Sequence, residues 1–475
     1  MPFGRSALYI MFDVVIRQGT LVDGAALYRG DIAISDGQIV AIGSDLPGQS
    51  RSEIDASGLH IFPGLIDAHV HSNEPGRSDW EGFATASAAL AAGGATTFFD
   101  MPLNAHPPTI NQAAFEQKYA AALKSSRIDF ALWGGIVPGN LAELPKLAER
   151  GVIGFKAFMS DSGIDDFAAV DDLTLFEAMQ IVAELGLIVA VHAESEAITK
   201  GLARRLRNQG RSGIRAFLDS RPIAAELEAI QRAISLAETS GCPLHIVHVS
   251  NRAGVLLVAE AQARGVDVSC ETCPHYLAFN EEDLERLGAL AKCAPPLRSP
   301  AEQVALWSLL EAGTLPMIAS DHSPAPAELK GIDPVTLQAL DPSGAQFERA
   351  WGGISGCQSS LAVLLSDGYA KGRLSLERIA EVSAGFVAHR FKLANKGRIA
   401  VGYDADLVAV DLKQNYQLTA SDLHYRHRHS PYLGRTEQGR VQFTLLRGEP
   451  VFQHGAALPP SKGRFVRPRL TVATS

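Results

Sequence analysis

Three observations predict a (β/α)8 TIM barrel joined to a small β-sandwich domain that is built from both ends of the chain. From about residue 61, short apolar runs alternate with amphipathic segments of helix length. Side chains able to bind metal stand at the ends of several of those runs. Before residue 60 and after residue 397, the texture is instead short strands and turns. Such alternation, flanked by β-rich ends, is the pattern of a parallel barrel beside an antiparallel domain.

Within residues 12–60, the stretches from Phe12 to Arg17, Asp31 to Ser35 and Gln38 to Ile42 alternate or run β-branched. Asp23-Gly24, Asp36-Gly37 and Gly43 punctuate them as turns. The same character returns in Leu407–Asp411 and Val441–Arg447, followed by the turn Gly448-Glu449-Pro450. The expected division is therefore 1–60 for the first part of the sandwich and 61–396 for the barrel. Residues 397–455 form the second part, and 456–475 an extended tail that packs on a neighbouring subunit. Residues 1–10 read as a dispensable extension ahead of the first strand.

Eight strand candidates fall in the barrel region: Ile61–Ala68, Ala95–Phe99, Phe130–Trp133, Gly154–Met159, Leu187–His192, Leu244–Val249, Val266–Cys270 and Leu315–Ser320. Helix candidates between them are Asp79–Ala92, Asn111–Leu123, Asp171–Leu185, Ala224–Thr239, Arg252–Arg264 and Pro300–Glu311. A doubly wound open sheet is the competing fold. No glycine-rich dinucleotide fingerprint follows the first strand to favour it.

The chain has 475 residues, 46% apolar and 20% charged, with a net charge of −9. That composition excludes a nucleic-acid or anionic-membrane partner, and no run is long enough for a membrane span. Five cysteines are too few and odd in number for a disulfide framework, which points to reduced thiols in the cytoplasm. Cys270-Glu271-Thr272-Cys273 has CxxC spacing but lacks a second pair, and reads as core packing.

Catalytic groups of a barrel sit at the C-terminal ends of its strands. There the sequence places His69 and His71 after strand 1, two apart and so on one face of a strand. Lys156 lies in strand 4, His192 ends strand 5, His248 ends strand 6 and Asp321 ends strand 8. Four imidazoles and a carboxylate on one face suit divalent transition metals. Lysine inside an apolar strand is costly when charged, and burial lowers its pKa. A neutral amine can add carbon dioxide to become a carbamate, an anionic ligand able to bridge two ions about 3.5–4 Å apart. The bland alternative is a lysine that snorkels to the barrel mouth.

Other histidines read as structural. His245, three residues before His248, should face outward or into helix packing. His275 near the mouth should make a structural hydrogen bond, and His322 should point away from Asp321. His424, His427 and His429 belong to a solvated or interface loop.

The pattern resembles the amidohydrolase superfamily, specifically its cyclic amidohydrolases: dihydroorotases, hydantoinases or dihydropyrimidinases, and allantoinases. The resemblance spans nearly the whole chain and is strongest to the allantoinases. It rests on Asp67-Ala68-His69-Val70-His71, Glu74-Pro75-Gly76-Arg77, Trp80-Glu81-Gly82-Phe83, Gly93-Gly94-Ala95-Thr96-Thr97 and Met101-Pro102-Leu103-Asn104. It continues through Ser162-Gly163-Ile164-Asp165, Lys292-Cys293-Ala294-Pro295-Pro296-Leu297-Arg298, Ser320-Asp321-His322-Ser323-Pro324 and Ala350-Trp351-Gly352-Gly353-Ile354-Ser355-Gly356. Asn73 stands where dihydroorotases carry an arginine, and Asp161 where hydantoinases carry a tyrosine.

The resemblance implies a hydrolase that opens the cyclic amide of (S)-allantoin to allantoate, in ureide catabolism. His69 and His71 would bind one ion and His192 and His248 the other, with carboxylated Lys156 bridging and Asp321 completing the first site. Zinc is the first choice, with cobalt, manganese or iron also compatible. A hydroxide held between the ions would attack the ring carbonyl, and Asp321 would serve as general base and then acid. Arg77, Asn104, Ala294 and Gly353 would hold the ring, the last two through backbone groups; the alternative for Arg77 is a structural one, pairing a loop carboxylate. The implied assembly is a homotetramer. The alternatives are a hydantoinase or dihydropyrimidinase acting on another cyclic ureide, and a non-catalytic scaffold on the same fold.

Overall fold

The computed structural model describes residues 11–341, 347–456, 458 and 463–470. The proposed extension 1–10 lies outside them. The chain opens with five strands: β1 (Met11–Asp23), β2 (Ala26–Ser35), β3 (Gln38–Gly43), β4 (Gln49–Asp55) and β5 (His60–Pro63). Nine strand segments then make the barrel. They are β6 (Leu65–Val70), β7 (Ala95–Asp100), β8 (Asp129–Leu132), β9 (Gly134–Gly135), β10 (Phe155–Phe158), β11 (Val189–His192), β12 (Leu244–Ile246), β13 (Val268–Thr272) and β14 (Met317–Ile318). Segments β8 and β9 are one barrel strand interrupted at Trp133, which gives eight. The chain ends in β15 (Leu407–Gln417), β16 (Thr436–Leu446) and β17 (Glu449–Gln453).

Both ends of the chain meet in one eight-stranded sheet, ordered β17-β16-β15-β5-β1-β2-β3, with β4 also on β1. β1 pairs β4 through Met11–Arg17 and β5 through Thr20 and Leu21. The partner changes at a bulge between Ile16 and Gly19, where Gln18 has φ 58°. A bulge bends and twists a strand, so β1 divides between two partners and curves the sheet around Ile16, Leu21, Ile32, Ile61 and Leu407.

The run Ile61–Ala68, expected as one barrel strand, is two strands split at Gly64. Its first half pairs β1 and β15 in the terminal sheet, and its second half pairs β7 in the barrel. A Cβ at Gly64 would overlap the Thr96 side chain, so only glycine lets the backbone cross there.

Barrel strands pair in parallel, β6-β7-β8 and then β9-β10-β11-β12-β13-β14. The Val70–His322 bridge and the His71 N–H donating to His322 O at 2.8 Å close the ring. Ile66, Ala68, Phe99, Ala131, Trp133, Ala190 and Val247 fill the interior, and Phe391 packs against Phe99 and Trp133 below. Helices α1 (Phe83–Ala92), α2 (Gln112–Ser125), α3 (Leu144–Arg150), α4 (Asp172–Glu184), α5 (Glu196–Asn208), α6 (Gly213–Ser220), α7 (Ile223–Ser240) and α8 (Arg252–Ala263) cover the outside, with Pro300–Ala312 further on. Asn111, Asp171 and Asn251 cap α2, α4 and α8 by accepting from the third following N–H. All strands exit at one end of the barrel, so whatever terminates them is gathered there.

Within the tail, residues 463–466 lie on the chain's own barrel: Phe130 N–H donates to Arg464 O at 3.0 Å, and Phe465 sits among Phe115, Tyr119 and Phe130. An aromatic cluster already waiting on α2 and β8 gives that arm its docking place. Beside it, a buried charge cluster ties tail, barrel and terminal sheet together. Lys396 Nζ lies 2.9 Å from Asp129, 3.2 Å from Asp404 and 2.6 Å from Asp406, while Arg447 also pairs Asp129. Burial alone would lower the Lys396 amine, but these carboxylates outweigh it and raise it. Removing one partner of a buried set leaves uncompensated charge. Lys396→Met should therefore cost about 3–5 kcal/mol of stability in urea unfolding; a loss under about 0.5 kcal/mol would show that the cluster does not hold the domains.

Candidate active site

Along β6 the period of two puts Asp67, His69 and His71 on one side. His69 and His71 are buried, and their ring centroids stand 5.4 Å apart. His69 Nε2 lies 3.2 Å and His71 Nε2 3.4 Å from the same oxygen, Asp321 Oδ1. These three residues offer ligand atoms within 4.8 Å of one another. Asp67 ties the first barrel strand to the end of the last by accepting from Ser320 N–H at 3.0 Å, and burial pushes its carboxyl up to about 6.

A second pair stands beside the first. His192 Nδ1 is 3.0 Å from His248 Nε2, and the His248 ring lies 5.5 Å from that of His69. Lys156, in the middle of β10, is wholly buried, with its Nζ 5.1 Å from the Phe158 ring centroid. That Nζ has no hydrogen-bond partner among the described residues. Burial lowers its pKa to about 7. His248 and Asp321 have φ 41° and 45°, just past the ends of their strands. Non-glycine residues in the left-handed region cost of order 1–3 kcal/mol and cluster where side chains must be aimed.

Two carboxylates that the sequence reading missed brace these imidazoles. Glu271 on β13 is buried, with Oε1 2.7 Å from His69 Nδ1 and Oε2 3.1 Å from His245 Nε2. A polarised chain sets the tautomers. Arg390 Nε donates to Ser269 Oγ at 2.8 Å, which frees the Ser269 proton for His245 Nδ1, also at 2.8 Å. His245 Nε2–H then donates to Glu271, as does His69 Nδ1–H, leaving the His69 Nε2 lone pair facing Asp321. Burial works to raise the Glu271 carboxyl, yet the bonds from His245 and His69 hold it down at about 2. Glu194 acts likewise on His192 Nε2 at 3.0 Å, and itself accepts from Arg221 at 2.5 Å. Against its burial, the Arg221 charge and the His192 bond hold Glu194 at about 2.

Glu271 escaped notice because strand 7 was expected to stop at Cys270, one residue short. Its signal was a carboxylate two places beyond Ser269 on the same face. His245 is corrected with it: it is buried inside the barrel against Glu271 and Phe391, not turned outward.

The cluster forms the floor of a cavity of about 530 Å³. Asn104, Asp161, Ala294 and Gly353 line it, together with His69, His71, His192, His248 and Asp321. Arg77 does not. Its Nη1 donates to Asn104 O at 2.8 Å and its Nη2 lies 3.6 Å from Asp166, so it braces the loop that carries Asn104. Asn73 also turns away, donating to Pro324 O. His275 is buried, and both its ring nitrogens lack a partner among the described residues, contrary to the structural hydrogen bond expected of it. His322 Nδ1 accepts from Gly356 N–H, facing away from Asp321's partners. All five cysteines are buried free thiols.

Buried imidazoles and a carboxylate at the mouth of a closed parallel barrel are the apparatus of a metal-dependent hydrolase. Residues 60–451 match the amidohydrolase family, and the chain belongs to that family. Within it, the chain is 54% identical to the allantoinase of Rubrobacter xylanophilus, over 96% of this chain and 98% of that protein. It is 53% identical to the allantoinase of Solibacter usitatus, over 98% and 99%. Among solved structures it resembles an L-hydantoinase (dihydropyrimidinase) from Arthrobacter aurescens, with a TM-score of 0.91 and 38% identity over 96% of this chain and all of that one.

If Glu271 fixes the His69 tautomer, replacing it with an amide lets the amide N–H face His69 Nδ1 and turns the ring proton to Nε2. Glu271→Gln should then weaken binding of the more labile ion about 10–100-fold, read by competition with a chelating dye. Unchanged affinity would remove Glu271 from the site's support.

Proposed function

We propose that this chain hydrolyses the ring amide of (S)-allantoin to allantoate with two divalent ions. His69, His71 and Asp321 would hold one, and His192 and His248 the other. Lys156, as its carbamate, would join them. The supporting observation is the buried Lys156 amine, without a hydrogen-bond partner among the described residues, at the end of the barrel that gathers four imidazoles and a carboxylate. A cationic lysine fits poorly beside two metal ions. Its carbamate, formed when the amine adds carbon dioxide and releases a proton, supplies the negative charge and the two oxygens that the donor set lacks. The same donor set suits zinc first, then cobalt, manganese or iron.

When bound, such ions lower the pKa of a water toward neutrality and polarise an amide carbonyl. The protein's own part centres on Asp321. Its carboxylate stands at the cavity floor, against both His69 and His71. There it takes the proton of the attacking water and gives it to the departing ring nitrogen. One carboxylate suffices because the two transfers are sequential. Asn104, Ala294 and Gly353 face the same cavity, where Asn104 would offer its amide, Ala294 its backbone, and Gly353 the carbonyl lone pair not taken by Lys330. Arg77 acts behind them, through the Asn104 loop.

Allantoin is favoured over other cyclic ureides because the relatives at 53–54% identity are allantoinases. The 38% likeness to a hydantoinase makes hydantoin and dihydrouracil the second reading. Reduced, buried cysteines support a cytoplasmic setting, and a tetramer is the assembly that the family resemblance implies. No helix among the described residues is long and apolar enough to cross a membrane.

Side by side with hydantoin, dihydrouracil and dihydroorotate, allantoin should have a kcat/KM higher by at least about a hundredfold. A preference for dihydrouracil would overturn the substrate assignment. Lys156→Ala should lose most bound metal and about a thousandfold or more in kcat/KM. Turnover near that of the wild type would exclude the carbamate.

A further inference from the structure

Two more lysines are buried at the mouth of the same cavity, and neither takes part in the chemistry above. Lys292 Nζ donates to the carbonyls of Phe347 at 2.8 Å, Glu348 at 3.0 Å and Ala350 at 2.7 Å. It lies between two aromatic faces, 5.2 Å from the Phe217 centroid and 5.0 Å from that of Phe347. Lys330 Nζ, wholly buried, donates to Ala289 O at 3.1 Å and to Gly353 O. The backbone repeats the link: Gly353 N–H donates to Lys292 O and Trp351 N–H to Leu329 O, each at 2.7 Å.

The carbonyls so gathered belong mostly to one segment, 347–353, whose residues Glu348 to Gly353 form a wall of the cavity. Gly353 is tightly seated there, since a Cβ on it would overlap Ser323. Long, flexible lysine side chains lose much rotamer freedom on burial, and a buried ammonium is costly unless its donors are satisfied. Two such groups spent on one loop indicate that its position matters. Burial lowers Lys292 to about 8 and Lys330 to about 7, against the carbonyl dipoles and ring faces that favour the cation.

We propose that Lys292 and Lys330 are positioning residues that clamp the mouth segment 347–353, so that Gly353 is held against the substrate ring and the ring is bound tightly. The proposal rests on reading this cavity as the cyclic-ureide site. Carbonyl oxygens on the loop turn toward the amines, which fixes where Gly353 stands on the cavity wall. Loosening the clamp should then weaken ring binding more than it slows the chemistry at Asp321.

The test compares metal-loaded wild type with Lys292→Met and Lys330→Met by amide hydrogen exchange, metal content and steady-state kinetics on allantoin. Peptides spanning 347–353 should exchange about tenfold faster in either variant, with barrel strands β10 and β11 unchanged. KM should rise about fivefold or more while kcat stays within about threefold, at unaltered metal content. Lys292→Arg, which keeps a cation between Phe217 and Phe347, should restore most of both. If a methionine variant fails to fold, Lys292→Gln, neutral but still a donor, should show the faster exchange. Unchanged exchange at 347–353, or a loss confined to kcat, overturns the clamp. Absence of allantoin turnover in the wild type would instead refute the substrate reading, and the exchange result would still judge the clamp.

Discussion

The constraint on which this molecule turns is a lysine amine shut inside a barrel with nothing to bond to. Lys156 lies on β10, flanked by β9 and β11, and its Nζ has no hydrogen-bond partner among the described residues. An unpaired polar group so placed costs a few kcal/mol, and more if charged. Around it the fold sets His69, His71, His192, His248 and Asp321, all at the same end of the barrel. Left as an amine, the lysine would be a penalty without return. As an anion between two cations it would satisfy itself and them together. Folded-state cost and catalytic site are thus two sides of one arrangement.

Holding that arrangement takes support well beyond the ligands. Glu271 and Glu194 each fix the ring nitrogen that faces away from the histidine–aspartate cluster, and each is backed in turn: one through His245, Ser269 and Arg390, the other through Arg221. Such outer partners orient a histidine and raise its basicity. The Arg390 chain runs from the mouth of the barrel toward its base, where Arg390 also pairs Asp267. A change near the base can therefore reach His69 through hydrogen bonds alone. Lys118 does similar work on the next strand. It pairs Asp100 at 2.6 Å with both side chains fully buried, and Asp100 accepts from Ser72 N–H, one residue after His71.

Much of this was legible in the sequence, because the strand period and the barrel's polarity translate directly into side-chain direction. His69 and His71 share a face by spacing of two, and Lys156, His192 and Asp321 stand out against apolar runs. The misses have physical causes. Glu271 and His245 were overlooked because strand 7 was ended early and strand 6 was read as regular as far as Val249, whereas β12 stops at Ile246 and His248 turns at φ 41°. Helices α5 and α6 were not forecast: α5 carries Arg204, Arg205 and Arg207 in its last turns and α6 has only eight residues, although Ala203, Leu206, Ala216 and Phe217 line the cavity. For Arg77 the sequence leaves two readings open, the ring or a loop carboxylate, and the arginine stands 3.6 Å from Asp166 while donating to Asn104 O. Phe465 found its aromatic cluster at a distance in sequence that no local pattern reports.

If the Lys156 nitrogen carries a carbon dioxide-derived carboxylate that two bound ions require, that carbon is directly observable. Carbon-13 NMR of metal-loaded protein equilibrated with labelled bicarbonate should show a carbamate resonance that persists while the ions are bound and disappears with them on chelation. Two tightly bound ions per chain with no labelled carbon on Lys156 would rule the carbamate out.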